Sequence, residues 1–200
     1  MSNLFTNQLG EYFNTFLPDI KRASKNTISS YNDSFVIFFE FLYETKGLQH
    51  TGVTYKKLTI TLFDEFILWM MNNRKYSETS VSQRMSAMVS FLKYASRRNM
   101  TALNAYTSAT TAERPTAPQT GFPYFTLEET KAILSSPDPE KYLGDRNLVL
   151  LSLLYETGSR AQEICDLTVG SIQFGNPTKV KIIGKRNKVR EVPISEEVSD

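Results

Sequence analysis

The stretch that most constrains this chain is "AYTSATTAERPTAPQTG", Ala105 to Gly121. It is small, polar and proline-containing, and it shows neither a helical nor a strand period. Such a segment reads as a linker between two bodies. Before it, apolar residues recur at spacings of three and four. After it, helical patterns give way to alternation. A chain of 200 residues has room for two small domains. The expected layout is a helical body over 1–104, a linker over 105–121 and a second body over 122–200. The last pattern, "SEEVSD", reads as a helix N-terminus, Ser195 followed by two acids, so the second body reads as incomplete.

The first half predicts four helices. Residues 4–17 form a short amphipathic helix that Pro18 should end. Ser24 is the expected N-cap of a long helix that Gly47 stops. Its apolar positions Ile28, Tyr31, Phe35, Phe38, Phe39 and Leu42 share one face. A third helix runs from about Leu62 to Asn73, opened by Thr61, with Phe63, Phe66, Ile67 and Met70 on its stripe. Ser77 or Thr79 caps a fourth, carrying Val81, Met85, Met88, Leu92 and Ala95, with Lys93, Arg97 and Arg98 at its C-terminal end. With 13 Phe and 10 Tyr, such stripes build a core before they build a binding box.

In the second half, Thr126 and Glu129 form a capping box ahead of a short helix. "RNLVLLSLLYETG" is apolar nearly all round and predicts a buried central helix that Gly158 terminates. A short helix from about Arg160 to Leu167 follows. "TKVKIIG" and "KVREVPI" alternate around "GKRNK", which predicts a β-hairpin.

The net charge of +2 says little about partners, but its distribution says more. Lys179, Lys181, Lys185, Arg186, Lys188 and Arg190 crowd the hairpin, with no acid among them until Glu191. A basic segment on a near-neutral chain points to a local anionic partner. The single cysteine, Cys165, excludes an internal disulfide and is expected as a buried small hydrophobe in an intracellular protein. There is no signal-peptide pattern and no apolar run approaching a membrane span.

Arg160 follows a helix stop and opens the next helix, where backbone N–H groups lack partners and favour anions. A guanidinium at that point can grip a phosphate. Glu163, three residues on, can hold the arginine in one orientation. Lys185 follows Gly184 at the hairpin tip, where a flexible ammonium can reach a groove or give up a proton.

These residues stand in an order that resembles the tyrosine recombinase (phage integrase) family. "LLYETGSRAQEICDLTVGSI" resembles the family's box Y-x-T-G-x-R-x-x-E-[IL]-x-x-L around its first catalytic arginine. "VKIIGKRNKVREVPIS" resembles its G-K-G-x-K-x-R-x-v-P hairpin, and "TISSYNDSFVIFFEFL" resembles the first long helix of its core-binding domain. The resemblance implies a mainly α fold with a small β-hairpin or sheet. An N-terminal four-helix, SAM-like core-binding domain would precede the first part of an α+β integrase catalytic domain. It implies that Arg160 clamps a non-bridging oxygen of the scissile phosphate, that Glu163 supports it, and that Lys185 protonates the leaving 5′-oxygen. Lys93, Arg97, Arg98, Lys179, Lys181, Arg186, Lys188 and Arg190 are the expected contacts to double-stranded DNA. The two bodies are expected to close on the duplex as a clamp. No metal and no other cofactor is implied, because cationic side chains stabilise the charge on phosphorus.

Three departures stand against the family pattern. Arg186 replaces a common Gly, and Ser171 replaces a common Asp ahead of the hairpin. The family's His-x-x-Arg and its nucleophilic tyrosine have no counterpart. The only histidine, His50, lies in the N-terminal half and reads as a loop residue, and all ten tyrosines precede Lys185. Three readings follow: a strand-exchange enzyme represented by the first half of its site, a catalytically inactive DNA-binding fragment or remnant that only occupies recombination sites, and a helical interaction domain. The first further implies a synaptic tetramer when complete, and a cytoplasmic, nucleoid-associated location.

Overall fold

The computed structural model describes residues 3–116, 121 and 124–199, which fall into two units meeting at Thr120–Gly121. The first unit is helical. Helix α1 (Leu4–Glu11) starts at Asn3, whose side chain accepts from the Phe5 N–H and donates to the carbonyls of Thr51 and Val53. Pro18 does not end the first helix. The chain widens instead into a π-helical segment, Tyr12–Ile20, that contains it. A proline lacks an N–H and crowds the carbonyl four residues back, and the wider register relieves both.

Ser24 caps α2 (Lys25–Lys46), and Gly47 ends it in the left-handed conformation, at φ 62°. Helix α3 (Ile60–Asn72) begins two residues earlier than expected. Its cap is Thr59, which accepts from the Leu62 N–H at 3.2 Å, and Thr61 lies inside the helix. Ser77, not Thr79, caps α4 (Glu78–Ser96).

The start of the expected linker is helical. Helix α5 (Thr101–Thr111) packs on α3 and α4 and buries Ala102, Ala105 and Ala109, with Ala112 buried just beyond. These alanines recur at three and four residues. A stripe of small residues has little hydrophobic weight but lets two helices approach closely. Arg114, just after α5, donates to the Ser86 hydroxyl at 3.1 Å. Residues 117–120 of the expected linker lie outside the described residues, as do 122 and 123 at the start of the second body.

The core of this unit is aromatic. Phe5, Tyr12, Phe38, Phe41, Phe63, Phe66 and Phe91 are fully buried. Phe91 is the hub, with ring centroids 5.3 Å from Phe5, 5.4 Å from Tyr12 and 5.4 Å from Phe35. Burying a ring of this size contributes about 1.5–3 kcal/mol each. The stripes of α2, α3 and α4 all face this core, with Ile28, Tyr31 and Phe39 at its margin. His50 sits in a single helical turn, edge-on to Phe39.

In the second unit, α6 (Leu127–Leu134) opens on the Thr126–Glu129 capping box. Helix α7 (Gly144–Thr157) ends at Gly158, φ 57°. Helix α8 is the short segment Ala161–Cys165. A three-stranded antiparallel sheet follows, β1 (Ile172–Gln173), β2 (Lys179–Gly184) and β3 (Lys188–Pro193), in the order β1-β2-β3. The sequence pattern predicts the β2–β3 hairpin but not β1. Helix α9 (Glu196–Ser199) closes the described chain. Val180, Ile182 and Ile194 form the buried apolar cluster, with Leu153 and Leu167 packed on it.

Two expectations fail in this unit. Helix α7 is half-buried rather than buried, with Val149 and Tyr155 exposed. Among the described residues only α6, α8 and α9 make substantial helix contacts with it, and they cover part of its circumference. Cys165 is exposed at the end of α8, because Ile164 is the residue that turns inward.

Candidate active site

Gly158 lets α7 stop in one residue, so Arg160 stands in extended conformation at the head of α8. The Arg160 N–H donates to Glu163 Oε2 at 3.1 Å, and its Nη1 donates to Oε1 at 2.9 Å. The carboxylate thus holds both ends of the arginine. Glu163 is only 7% exposed, whereas the Arg160 side chain is 74% exposed. The guanidinium is therefore gripped from beneath and open above.

A second arginine shares the same carboxylate. Arg190, on β3, donates from Nη2 to Glu163 Oε2 at 2.8 Å and to the Ser159 hydroxyl at 3.1 Å. The Ser159 hydroxyl lies 2.7 Å from that of Thr157, at the end of α7. The carboxyl of Glu163 is held down to about 2. The hydrogen bond from Arg190 is the main cause, the Arg160 N–H comes next, and partial burial works against both. Lys185 lies at the hairpin tip, exposed, directly after Gly184. A second, half-buried link joins Glu156 of α7 to Ser195. The Ser195 N–H donates to Oε2 at 3.0 Å and its hydroxyl to Oε1 at 2.6 Å.

A fixed, open guanidinium has free donors for an anionic oxygen, and the comparisons with known proteins give the family in which it stands. Residues 8–112 match the phage integrase SAM-like domain and residues 123–200 match the phage integrase family. The chain belongs to the phage integrase family of tyrosine recombinases. Among relatives, tyrosine recombinase XerC of Oceanobacillus iheyensis is 32% identical over 94% of this chain and 59% of its own length. XerC of Anoxybacillus flavithermus is 29% identical over 90% of this chain and 57% of its own length. The chain thus spans less than two thirds of these relatives. The XerH site-specific recombinase, solved bound to its difH substrate in a post-cleavage complex, shares the fold with a TM-score of 0.65 at 18% identity, over 89% of this chain and 51% of that one.

Within this integrase framework the structure brings Arg160 and Glu163 together as the sequence predicts. It divides the basic residues of the hairpin. In the β2–β3 register Lys181 pairs with Glu191 and Ile182 with Arg190. Residues opposite each other point to the same face, and neighbours point to opposite faces. Lys179 and Lys181 therefore lie on the outer face with exposed Ile183 and Val189, while Arg190 lies on the face of buried Val180 and Ile182. The described strand cations thus lie on both faces of the hairpin, and Arg190, though partly exposed, is engaged by Glu163 and Ser159. Lys188 is exposed on the Arg190 face. The side chain of Arg186 lies outside the described residues.

In the helical unit, Lys93 and Arg97 are exposed along a groove between α4 and the π-helical segment. Lys21 lines the same groove and donates to the Ser90 hydroxyl at 3.3 Å. Sequence reasoning missed Lys21 because it expected the helix to end at Pro18. Arg98 is partly committed, since its guanidinium lies 3.9 Å from the Tyr94 ring centroid and Nη1 donates to the Tyr94 carbonyl at 3.3 Å. The pairing of Arg190 with Glu163 was also missed. Strand parity carries that signal: once Val180 and Ile182 are taken as inward, Arg190 follows them.

Proposed function

We propose that this chain binds duplex DNA and carries the phosphate-gripping part of a strand-exchange site. One observation carries the reading: Arg160 is held by a buried carboxylate while most of its side chain faces solvent. Its free N–H groups can take a non-bridging phosphate oxygen in a charge-assisted hydrogen bond. A carboxyl with a pKa near 2 stays ionised at any physiological pH, so the grip does not loosen.

In the complete recombinase a tyrosine oxygen bonds to phosphorus as the bond to the 5′-oxygen breaks, leaving a 3′-phosphotyrosyl link. Arg160 stabilises the charge that builds on the non-bridging oxygens. The Lys185 ammonium passes its proton to the departing 5′-oxygen. No residue of this chain is assigned the nucleophile's role. Reversal of the same step on a second strand rejoins DNA without an external energy source. This reading carries with it a synaptic tetramer and action on cytoplasmic, nucleoid DNA. Lys21, Lys93 and Arg97 in the helical unit, and Lys185 and Lys188 in the second unit, are the phosphate contacts of each.

The test is a mobility-shift titration of the 200-residue chain on duplex DNA across a range of salt. The chain should shift the duplex and form no covalent adduct. Affinity should fall by about 0.9 log unit per log unit of salt for each phosphate neutralised, and Arg160→Ala should remove about one such increment. Absence of a shift at low salt would overturn the DNA reading in favour of an interaction domain. In the complete recombinase, Lys185→Ala should slow cleavage far more than binding. A substrate with sulfur at the 5′-bridging position, whose leaving group needs no proton, should rescue it. Failure of that rescue would leave Lys185 as a phosphate contact only.

A further inference from the structure

We propose that Arg190 is a positioning residue: through the carboxylate it shares with Arg160, it holds the Arg160 phosphate clamp in its direction and does not itself bind phosphate. The proposal rests on the DNA-binding reading above.

Arg160 and Lys185 come from different parts of the second unit. One opens a five-residue helix, and the other sits on a three-residue turn between two strands. Helix α8 meets β2 and buries Ile164, but apolar packing is non-directional and does not orient charged side chains. Glu163 does. Its Oε1 takes Arg160 and its Oε2 takes Arg190, so the two guanidinia are fixed to the two oxygens of one planar group. The carboxylate also lies against the strand that leads to Lys185. A Cβ placed on Gly184 would come within 3.1 Å of Glu163 Oε1 and 3.4 Å of Arg190 Nη1. A side chain there would be tight, and the carboxylate would have to give by a few tenths of an ångström.

Arg190 then anchors the assembly to α7. Its Nη2 donates to the Ser159 hydroxyl, which neighbours Thr157, and the Thr157 hydroxyl lies 2.6 Å from the Leu153 carbonyl. The β2–β3 register turns Arg190 to the inner face opposite Ile182. From that face its Nη2 is already shared between two protein oxygens, while the Arg160 side chain is about twice as exposed, 74% against 38%. The low pKa of Glu163 agrees, because the Arg190 hydrogen bond is its largest cause.

The experiment measures the salt dependence of duplex binding for Arg190→Gln in two backgrounds, the natural chain and Arg160→Ala, with circular dichroism to confirm folding. Arg160→Ala should lower the slope by about 0.9, one phosphate. Arg190→Gln should weaken binding in the natural chain and change nothing further in the Arg160→Ala background. Arg190→Lys keeps one charged donor for Glu163 Oε2 and should restore most of the loss. A further drop of about 0.9 in the Arg160→Ala background would mean that Arg190 meets a phosphate directly, and would overturn the proposal. So would no effect in either background, or a folded Arg190→Lys no better than Arg190→Gln. If Arg190→Gln does not fold, Arg190→Lys takes its place in both backgrounds, and any loss it causes must vanish with Arg160→Ala. If Arg160→Ala itself leaves binding unchanged, the phosphate-clamp reading has failed, and the positioning role falls with it. That outcome is separable because it appears before Arg190 is touched.

Discussion

Each unit holds a triad of charged side chains, two of them around one they share, and the two arrangements are opposites. In the helical unit Arg74 is shared by Glu40 and Glu44, each at 2.9 Å. In the second unit Glu163 is shared by Arg160 and Arg190, at 2.9 and 2.8 Å. Distances barely differ, but burial does: Arg74 is 36% exposed and Glu163 is 7% exposed. The two acids around Arg74 stand one turn apart on α2, and Arg74 follows α3, so the triad joins two helices at the surface. The two arginines around Glu163 come from α8 and β3. An exposed cluster adjusts to solvent and salt, whereas a shielded one fixes the direction of every group in it. The helical unit takes its order from a packed aromatic core. Among the described residues the second unit buries far fewer apolar side chains, and its polar network fixes the direction of Arg160.

The largest expected effect tests that division. Phe91 is fully buried and touches the rings of Phe5, Tyr12 and Phe35. Phe91→Ala should cost the helical unit about 3–5 kcal/mol. The single tryptophan, Trp69, lies in that unit and reports its urea transition by fluorescence. Amide exchange at β2 and β3 should stay as before. Equal acceleration there would mean that the two units unfold as one and that their stabilities cannot be compared separately.

Opposite responses to pH come next. Tyr12 and Tyr55 are raised above the ordinary tyrosine value of 10, chiefly by burial. A raised pKa means the neutral form is the native one. Their contribution is complete below pH 10 and is lost as pH rises beyond it. Glu163 is lowered from 4.5 to about 2, so its contribution is complete above pH 4.5 and is lost as pH falls toward 2. Alkali should therefore loosen the helical unit first, and acid should loosen the hairpin first. Side-chain carboxyl NMR of Glu163 gives the second half directly. A midpoint near 4.5 would show that the arginine pair does not hold the carboxylate.

A smaller effect concerns the joint between α7 and β3. Glu156 accepts both the N–H and the hydroxyl of Ser195. Ser195→Ala removes one bond to a charged acceptor and leaves the other. It should cost about 1 kcal/mol, read as faster amide exchange in α9 with the helical unit unchanged. If exchange in α9 is unaffected, the contact does not support the end of the sheet.

Much of this was legible in the sequence because it depends on period. The stripes of α2, α3 and α4, the caps at Ser24, Ser77 and Thr126, and the hairpin about Lys185 are local patterns with local causes. Residues 105–111 were read as linker because alanine carries almost no signal, although Ala102, Ala105 and Ala109 keep helical spacing. Pro18 was misread because a proline is compatible with a helix that widens. In the site, Arg160 and Glu163 were visible as neighbours one turn apart. Arg190 was visible only as positive charge. Its pairing across the fold depends on which strand face turns inward, which a count of cations does not address.

The smallest effect falls on the exposed triad. Arg74 donates to two carboxylates from one Nη2 atom, which adds little to what a single pair provides. All three side chains remain more than a third exposed, so water competes for each charge. Such pairs contribute about 0.2–1 kcal/mol at low salt and less as screening shortens the range of the field. The guanidinium also lies 4.8 Å from the Trp69 ring centroid, a contact that salt screens less than the ion pairs because it includes packing. Arg74→Ala should therefore lower the stability of the helical unit by less than about 1 kcal/mol at low salt, and by still less in 1 M salt. Arg74→Met keeps part of the packing on Trp69 and should lose only the salt-dependent share. If Arg74→Ala instead rivals Phe91→Ala, the exposed triad is as structural as the buried one, and burial is not what separates the two units.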